Sequence, residues 1–524
     1  MTAAERDTLV TENGGFLQRT AASVVAVGFL TFLLAWATIM RVLSLEATIG
    51  GLSLALVFGG ALFAMGAAVL VLGVASRVGA LDTTPDRTAG LLTAVAFGAV
   101  GFVAGGLLAS QTLALGGTRG LFTVADLEWF AVALLVGLVF AAAGLLPRED
   151  LGSTLPAGAV TLALGGLVVS GAIDPSWIWQ PAHLPVEFPA GIAVPIFGIV
   201  GSILSGWAAA KAHGGFGARG RQNGAFMFIG LIAFAMIAVL VLLVSYVASK
   251  GFGPATQGFS LVPFEWPFVM NGYTFSDRVP DGVKPAIIGT VYIVVGTMAI
   301  AVPLGVGSAV FLTEYAEQGP FTRIVEIATN GLWSTPSIVF GLFGYAFIVP
   351  RLGNSLSLLA GILVLSFMLL PLVMITSREA ILAVPDEYRD ASASLGVDEW
   401  ETIRSVVLPA AMPGVITGII LGVGRIAGET APILLVMAGG INREAPSVLA
   451  GFELLSHPPF VVNPALLRSA TALPYQLYAI ITAGVSGNQA FGWGTAFVLL
   501  LVVIGFYAIG IASRIYFRRK LHHE

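Results

Sequence analysis

Cysteine and charge are the two features this sequence has least of. No cysteine occurs among its 524 residues, which excludes disulfide bonds, thiolate metal sites and cysteine nucleophiles. Only 10% of the residues are Asp, Glu, Lys or Arg, and a soluble protein of this length needs more polar surface than that. The net charge of −4 decides little, because the placement of charge between spans orients a membrane protein.

Sequence signatures of nucleotide, metal and nucleic-acid sites are missing as well. The pattern G-x-x-x-x-G-K followed by Ser or Thr does not occur, so we do not expect this chain to bind and hydrolyse ATP. The five histidines show no metal-ligand spacing, and we expect no metal site, no cofactor and no catalytic residue. The basic residues Arg518, Arg519 and Lys520 are typical of a cytoplasmic membrane anchor and do not predict nucleic-acid binding.

Apolar residues are abundant instead. They make up 57% of the chain, the mean hydropathy is +0.92, and apolar runs recur that are long enough to cross about 30 Å of hydrocarbon. We therefore predict an all-α, polytopic membrane protein with about twelve transmembrane helices in contact with membrane lipid. The predicted spans lie near 20–41, 50–75, 89–115, 127–146, 155–173, 189–210, 225–248, 285–312, 324–349, 356–376, 411–438 and 493–513.

Lys and Arg in the short loops predict the orientation. An N-terminus in the cytoplasm places Arg77, Arg148, Lys211 and Arg389 on the inner side, together with the basic C-terminal tail. The outer loops then carry fewer basic residues, as the positive-inside rule requires. Both termini and the loop 376–410 are therefore predicted to be cytoplasmic.

A glycine-rich, basic segment at 211–224 lacks apolar periodicity and predicts a domain boundary. Residues 1–220 are expected to form an extra membrane domain of about six spans, whose role the sequence does not reveal. Residues 221–524 are expected to form a second domain of about six spans, with longer loops and more polar residues inside the spans. No internal repeat relates the two halves.

The loop before the eleventh span predicts two short helices. Asp386 can begin the first helix, and Gly396 suits the left-handed position that ends it. Asp398 and Glu401 have the spacing of a capping box that begins the second helix, which Pro409 is expected to end. Two amphipathic helices at about a right angle would form a compact cytoplasmic hairpin, although periodicity alone also permits an interfacial helix lying under the membrane.

The eleventh span combines a small-residue stripe with two charges. Gly414, Gly418 and Gly422 recur every four residues and predict a close-packing helix face. Arg425 and Glu429 are also four residues apart, so their side chains can meet. Each unpaired charge inside a span costs at least about 2.5–3.5 kcal/mol. The pair is therefore either a structural lock between helices or a charged element of a translocation path.

An oxyanion path agrees with this chemistry. A guanidinium offers an oxyanion a planar fork of donors, and Glu429 would balance the charge of Arg425 when no anion is bound. Ser334, Thr335 and Ser337 in the ninth span could add neutral donors. We expect these hydroxyls to bond to helix carbonyls instead.

The hairpin resembles the EAA loop of ABC-importer permeases. The family pattern is E-A-A, three residues, Gly, nine residues, then I-x-L-P. The sequence at 390–409 has D-A-S, the same spacings and V-V-L-P. The resemblance implies that the loop 379–410 docks on an ATPase subunit. It assigns this coupling role to Asp390, Ala391, Gly396, Leu408 and Pro409.

The segment after Arg425 sharpens the resemblance. Residues 428–432 read G-E-T-A-P, which is similar to the signature of PstA-type permeases of phosphate importers, and 313–315 (T-E-Y) and 335–342 (T-P-S-I-V-F-G-L) also look like that family. The resemblance covers about 221–524. It implies a type I ABC importer permease core that is a transport subunit and not an enzyme. It also implies a substrate path that includes Arg425, Glu429 and Thr430.

The same resemblance implies the partners. They are a PstC-type permease chain, a PstB-type ATPase dimer and a PstS-type phosphate-binding protein. The alternatives from the residues alone are an ABC permease for another oxyanion such as sulfate or molybdate, an ion-gradient-driven secondary transporter, or a structural or regulatory membrane protein. Residues 1–220 are expected to pack around the permease core or to regulate or assemble it.

Overall fold

The computed structural model describes residues 15–81, 83–111, 127–180, 187–273, 281–317, 319–457, 460–482 and 489–523. Long helices dominate these residues, and the strands that accompany them form two-residue β-hairpins. The chain divides into two compact units, Met1–Tyr246 and Val247–Glu524. The boundary between the units falls inside a continuous helix, Gly217–Ala255.

The described helices confirm a polytopic all-α membrane protein. Among the described residues, nine helices are long and apolar enough to cross a membrane, and a bent pair of helices adds a tenth. Two shorter apolar helices, Leu91–Gly106 and Trp129–Leu145, lie at the third and fourth predicted spans. Each predicted span thus coincides with helical residues, while 112–115 of the third span lie outside the described residues.

The first unit contains, in chain order, α1 Phe16–Ile39, β1 Thr48–Ile49, β2 Leu52–Ser53, α2 Leu54–Val78, α3 Leu91–Gln111, α4 Leu127–Leu145, α5 Glu149–Val169, β3 Ile178–Trp179, β4 Phe188–Pro189, α6 Ala190–His213 and most of α7 Gly217–Ala255. Helix α2 packs on α5, α1 on α6, and α3 on α4. The order helix, hairpin, helix occurs twice, as α1–β1–β2–α2 and as α5–β3–β4–α6. Because α2 packs on α5 as α1 packs on α6, the two copies contact each other in a reciprocal way.

The second unit contains the end of α7, then β5 Ser260–Leu261, β6 Phe264–Glu265, α8 Pro267–Met270, α9 Lys284–Val310, α10 Pro320–Ser334, α11 Ser337–Phe343, α12 Leu358–Leu382, α13 Asp386–Ser394, α14 Glu399–Thr402, α15 Leu408–Ala427, α16 Ala431–Val436, β7 Glu453–Leu454, β8 Val461–Val462, α17 Leu473–Thr482 and α18 Gln489–His523. Single turns of other helix types lie at Phe311–Tyr315, Gly344–Ile348, Val349–Leu352, Ile403–Val407 and Pro464–Leu467.

Helix α12 is the centre of the second unit. It packs on α9 and α15, and α15 packs in turn on α18. Its side chains Leu365, Met368 and Leu369 are among the largest that are fully buried. A helix that is apolar on all sides is stable in such a place, because every face meets another helix or the lipid.

The segment 211–224 is helical except at 214–216. Its glycines support a tight turn between two helices. Phe216 and Gly217 have positive φ angles, and a Cβ on Gly220 would lie 2.8 Å from the carbonyl oxygen of Lys211. Glycine content therefore indicated close backbone approach here and did not indicate a flexible connection.

The second helix of the hairpin does not end at Pro409. The run Glu399–Ala427 is one helical path, in which the π-helical turn Ile403–Val407 joins α14 to α15. Pro409 lies in the first turn of α15, where a missing N–H is tolerated because the preceding turn has already changed its hydrogen-bond register. The hairpin is thus built directly onto the membrane helix that follows it.

Candidate functional site

The ninth predicted span is broken. Helices α10 and α11 meet at an angle of 101°, with Thr335 extended between them at φ −69° and ψ 129°. The cause is local, because a residue before proline avoids the helical region and Pro336 follows Thr335. The hydroxyls of Ser334 and Thr335 donate to the carbonyl of Gly331 at 2.9 and 2.8 Å, as expected of back-bonding side chains.

The eleventh predicted span is also broken, near its charges. Helix α15 ends at Ala427 and α16 begins at Ala431, so Glu429 lies between the two helices and not inside a continuous span. Pro432 has no N–H to give to the carbonyl of Gly428, which explains why the helix cannot continue through this sequence. Thr430 is half-buried and immediately precedes α16.

The two breaks lie side by side. Helices α11 and α16, which follow the breaks, pack together so closely that a Cβ on Gly341 would lie 3.0 Å from the Cα of Pro432. At the breaks, the side chain of Ser337 lies near the carboxylate of Glu429. Polar groups of two discontinuous helices are therefore brought together at one place within the second unit.

Arg425 and Glu429 form a loose ion pair at this place. The Nε atom of Arg425 lies 3.7 Å from Oε1 of Glu429, and the two side chains are 30% and 14% exposed. The guanidinium carbon lies 4.7 Å from the ring centroid of Trp333, the last aromatic residue of α10. Nε is buried and has no hydrogen-bond partner among the described residues. The described residues therefore leave this N–H donor of the guanidinium unused.

The glycine stripe of α15 faces α12. A Cβ added to Gly414 or Gly422 would lie 2.6 or 2.7 Å from side-chain carbon atoms of that helix, closer than real packing permits. Only glycine allows the two helices to approach this closely. The facing residues for Gly414, Gly418 and Gly422 are Ala380, Thr376 and Leu369.

The hairpin has the capping geometry that its sequence predicts. Gly396 adopts φ +75° after α13, and the Asp398 carboxylate accepts a hydrogen bond of 2.9 Å from the backbone N–H of Glu401. The hydroxyls of Ser392 and Thr402 lie 2.7 Å apart and join the two arms. The hairpin is thus held in one shape by its own polar contacts.

The outer surface of the hairpin is exposed and partly apolar. Leu395 is 82% exposed and Trp400 is 57% exposed, next to the exposed residues Asp390, Ala391 and Gly396. Leu408 and Pro409 lie at the base of the hairpin and are half-buried. The predicted coupling residues thus fall into an exposed group at the tip and a second group where the hairpin joins α15.

The first unit contains a buried charge cluster that sequence reasoning missed. The Nζ atom of Lys211 lies 2.8 Å from Glu149 Oε1 and donates to the hydroxyl of Ser153 at 2.8 Å. The other oxygen of Glu149 accepts from the backbone N–H groups of Asp86 and Gly217 at 3.0 and 2.9 Å. Both charged side chains are at most 2% exposed. The sequence predicted Lys211 on the cytoplasmic side and did not predict that its charge is buried.

Comparison with known proteins places these features in a family. The sequence profile described as "Binding-protein-dependent transport system inner membrane component" matches residues 301–461. The "Phosphate transport system permease protein PstA" of Mycobacterium leprae (strain TN) is 31% identical over 300 residues, which are 57% of this chain and 90% of that protein. "Phosphate transport system permease protein PstA 1" of Mycobacterium tuberculosis (strain CDC 1551 / Oshkosh) is 33% identical over 53% of this chain and 83% of its own length.

A third relative has a less specific name. The "Probable ABC transporter permease protein YqgI" of Bacillus subtilis (strain 168) is 35% identical over 205 residues, which are 39% of this chain and 66% of that protein.

Proposed function

We propose that this chain, which belongs to the family of PstA-type permeases among the binding-protein-dependent transport inner membrane components, carries inorganic phosphate into the cytoplasm as a subunit of an ATP-driven importer. Most of the length of the two PstA relatives aligns with this chain. The observation that best supports this proposal is that two broken helices meet at Arg425 and Glu429. This arrangement supports a path that an oxyanion could follow.

The chemistry of the path follows from the guanidinium of Arg425, whose Nε–H has no hydrogen-bond partner among the described residues. Arg425 would bind phosphate through charge-assisted N–H···O hydrogen bonds, which are stronger than neutral ones. Glu429 and the ring of Trp333 would hold the guanidinium in place before and after each anion passes. A single balanced arginine suits transport, because a denser cationic cluster would bind phosphate too firmly to release it. Thr430 would lie at the edge of this path.

The hairpin 386–408 would receive motion from the ATPase. Its exposed tip at Asp390, Ala391 and Gly396 would dock on the partner, and Leu408 and Pro409 would carry the displacement into α15. Family membership implies ATPase and substrate-binding partners in general. We propose that they are a PstB-type ATPase dimer and a PstS-type phosphate-binding protein, with a PstC-type chain as the second permease.

The proposed topology has both termini and the hairpin in the cytoplasm and the protein in the cell membrane. This orientation follows the distribution of Lys and Arg between the loops. The region 221–524 would form the permease, and 1–220 would form an accessory membrane domain.

The path is tested by Arg425→Ala in cells that depend on this importer for phosphate. Loss of charge-assisted hydrogen bonds of about 1.5–3 kcal/mol predicts a fall in uptake of roughly 10- to 100-fold at normal membrane levels. Arg351→Ala is the matched control, because Arg351 also stacks on an aromatic ring, that of Phe347 at 3.6 Å, but lies away from the breaks. Equal uptake by the wild type and Arg425→Ala would refute the path.

A further inference from the structure

A second ion pair joins the hairpin to the end of α9. Arg389, which directly precedes the predicted docking residue Asp390, donates from its Nη2 to Glu314 Oε1 at 2.8 Å and from its Nε to Glu314 Oε2 at 3.2 Å. Glu314 is only 10% exposed. The two parallel hydrogen bonds fix the guanidinium plane relative to the carboxylate, which a single-point contact would not do.

The same guanidinium also holds the segment that leads into the hairpin. Its Nη1 donates to the carbonyl of Val384 at 3.0 Å and to the Asp386 carboxylate at 3.2 Å. Val384 lies between the end of α12 and the start of α13. The Glu314 carboxylate raises the pKa of Arg389 above its usual value, so the group stays charged at every physiological pH. Arg389 therefore connects the hairpin, the end of α12 and the end of α9.

Helix α10 extends from this junction to the charged break. It begins at Pro320, five residues after the end of the π-helical turn Phe311–Tyr315, which continues α9 and contains Glu314. Along its length Glu326 forms an ion pair of 2.7 Å with Arg378 of α12. Near its other end Trp333 lies against Arg425. A helix of 15 residues is about 22 Å long, so α10 connects the two places as a rigid element.

We propose that Arg389 and Glu314 are positioning residues that transmit displacement of the hairpin through the end of α9 and helix α10 to Trp333. Trp333 would thereby move together with Arg425, which the hairpin moves directly through α15. The inference rests on the proposed function, since it assigns the coupling joint of that transporter. Without the pair, the hairpin could move with the ATPase while α9 and α10 stay behind. Arg425 would still move with α15 when ATP is hydrolysed, but Trp333 at the end of α10 would not follow it.

The test uses the complete importer in proteoliposomes, with phosphate uptake and ATP hydrolysis measured on the same vesicles. Glu314→Gln and Arg389→Gln are each expected to lower the phosphate transported per ATP by roughly tenfold. Assembly with the ATPase and the hydrolysis rate should stay close to wild type. A purely structural role would lower uptake and hydrolysis together with the amount of assembled complex. Arg323→Gln, an exposed arginine on α10, is the control and should keep the wild-type ratio.

Two further variants guard against misfolding. The double variant Arg389→Gln with Glu314→Gln should be no worse than Arg389→Gln alone, because both substitutions remove the contact between the two side chains. The exchange Arg389→Glu with Glu314→Arg should recover part of the lost ratio. The inference is overturned if the wild type transports phosphate and both single variants transport as much phosphate per ATP as the wild type. It is also overturned if the losses of the two single variants add in full in the double variant. If wild type itself shows no phosphate uptake with all partners present, the proposed function fails instead.

Discussion

At the scale of single residues, the charged side chains in the two clusters described above lie beside partners of opposite charge. Arg425 has Glu429 and the face of Trp333, and its position in the last turn of α15 also suits a cation, because helix C-terminal carbonyls attract positive charge. Lys211 has Glu149 and Ser153. The two places differ in how fully the cation is enclosed and hydrogen-bonded. Lys211 is buried beside its partners. Arg425 is partly exposed, and its Nε has no hydrogen bond to the described residues.

We expect the enclosed pair to be structural. Lys211→Ala removes the nearer of the two cations that pair with the buried Glu149 and leaves only Arg221, 3.8 Å away and half exposed. This predicts a loss toward the lower end of about 3–5 kcal/mol in the stability of the first unit. Arg219→Ala is the control, because Arg219 is exposed and substitutions of exposed residues usually change stability by no more than about 0.5 kcal/mol. Thermal unfolding in detergent should show a much lower midpoint for the first variant only. Similar midpoints would mean that the buried pair is not a stabilising contact.

The residue-scale predictions from sequence succeeded where partners are close along the chain. Four-residue spacing predicted that Arg425 and Glu429 meet, and local chemistry predicted the left-handed Gly396 and the Asp398 cap. Trp333 was not predicted as a neighbour of the charges, because that contact depends on a bend of 101° in another helix. Ser337 was considered as a donor in the path but was expected to bond to a helix carbonyl. The Thr335–Pro336 dipeptide signalled that bend, but a continuous span was assumed across it.

At the scale of elements, the main features are two broken helices and one helix that continues where a break was expected. Pro336 interrupts its span because the residue before a proline avoids helical φ/ψ angles. Pro432 interrupts its span because it has no N–H to donate to the carbonyl four residues earlier. Pro409 does not, because a π-helical turn precedes it. Sequence alone located the prolines but did not predict which hydrogen-bond register the preceding turn would adopt.

The exposed apolar surface of the hairpin predicts that a charge placed there prevents binding of the ATPase. Leu395→Glu places a charge on its most exposed apolar side chain and should prevent a partner from burying that surface, because burying an unpaired charge is costly. Leu449→Glu is the control, since Leu449 is 83% exposed and lies outside the hairpin. Co-purification of the ATPase should be lost with Leu395→Glu and kept with Leu449→Glu. Retention of the ATPase by both variants would favour the alternative of an interfacial helix under the membrane.

At the scale of the whole molecule, the chain consists of two units, and its relatives align with only part of its length. The aligned part of the Mycobacterium leprae relative is 57% of this chain but 90% of that protein, so the relative has little beyond the aligned region. The helix Gly217–Ala255 belongs to both units. Composition and apolar runs were sufficient to predict two sets of membrane helices. They did not predict the helix–hairpin–helix order that occurs twice in the first unit, because strands of two residues are too short to show an alternating apolar pattern.

We expect the first unit to be dispensable for transport itself. A chain limited to 221–524 retains nearly all of α7 and every element from α9 to α18. It should therefore still support phosphate uptake when it reaches the membrane together with its partners. Quantified membrane levels beside uptake rates provide the control. Normal levels without uptake would assign the first unit a direct part in transport.

The most direct test of the central claim is uptake of radiolabelled phosphate into proteoliposomes that contain the purified complex with its binding protein. We predict uptake that requires ATP at the ATPase side, is unaffected by collapse of ion gradients, and is reduced by excess unlabelled phosphate but not by sulfate or molybdate. Uptake driven by an ion gradient without ATP, or ATP-dependent uptake in which sulfate or molybdate competes as well as phosphate, would contradict the account.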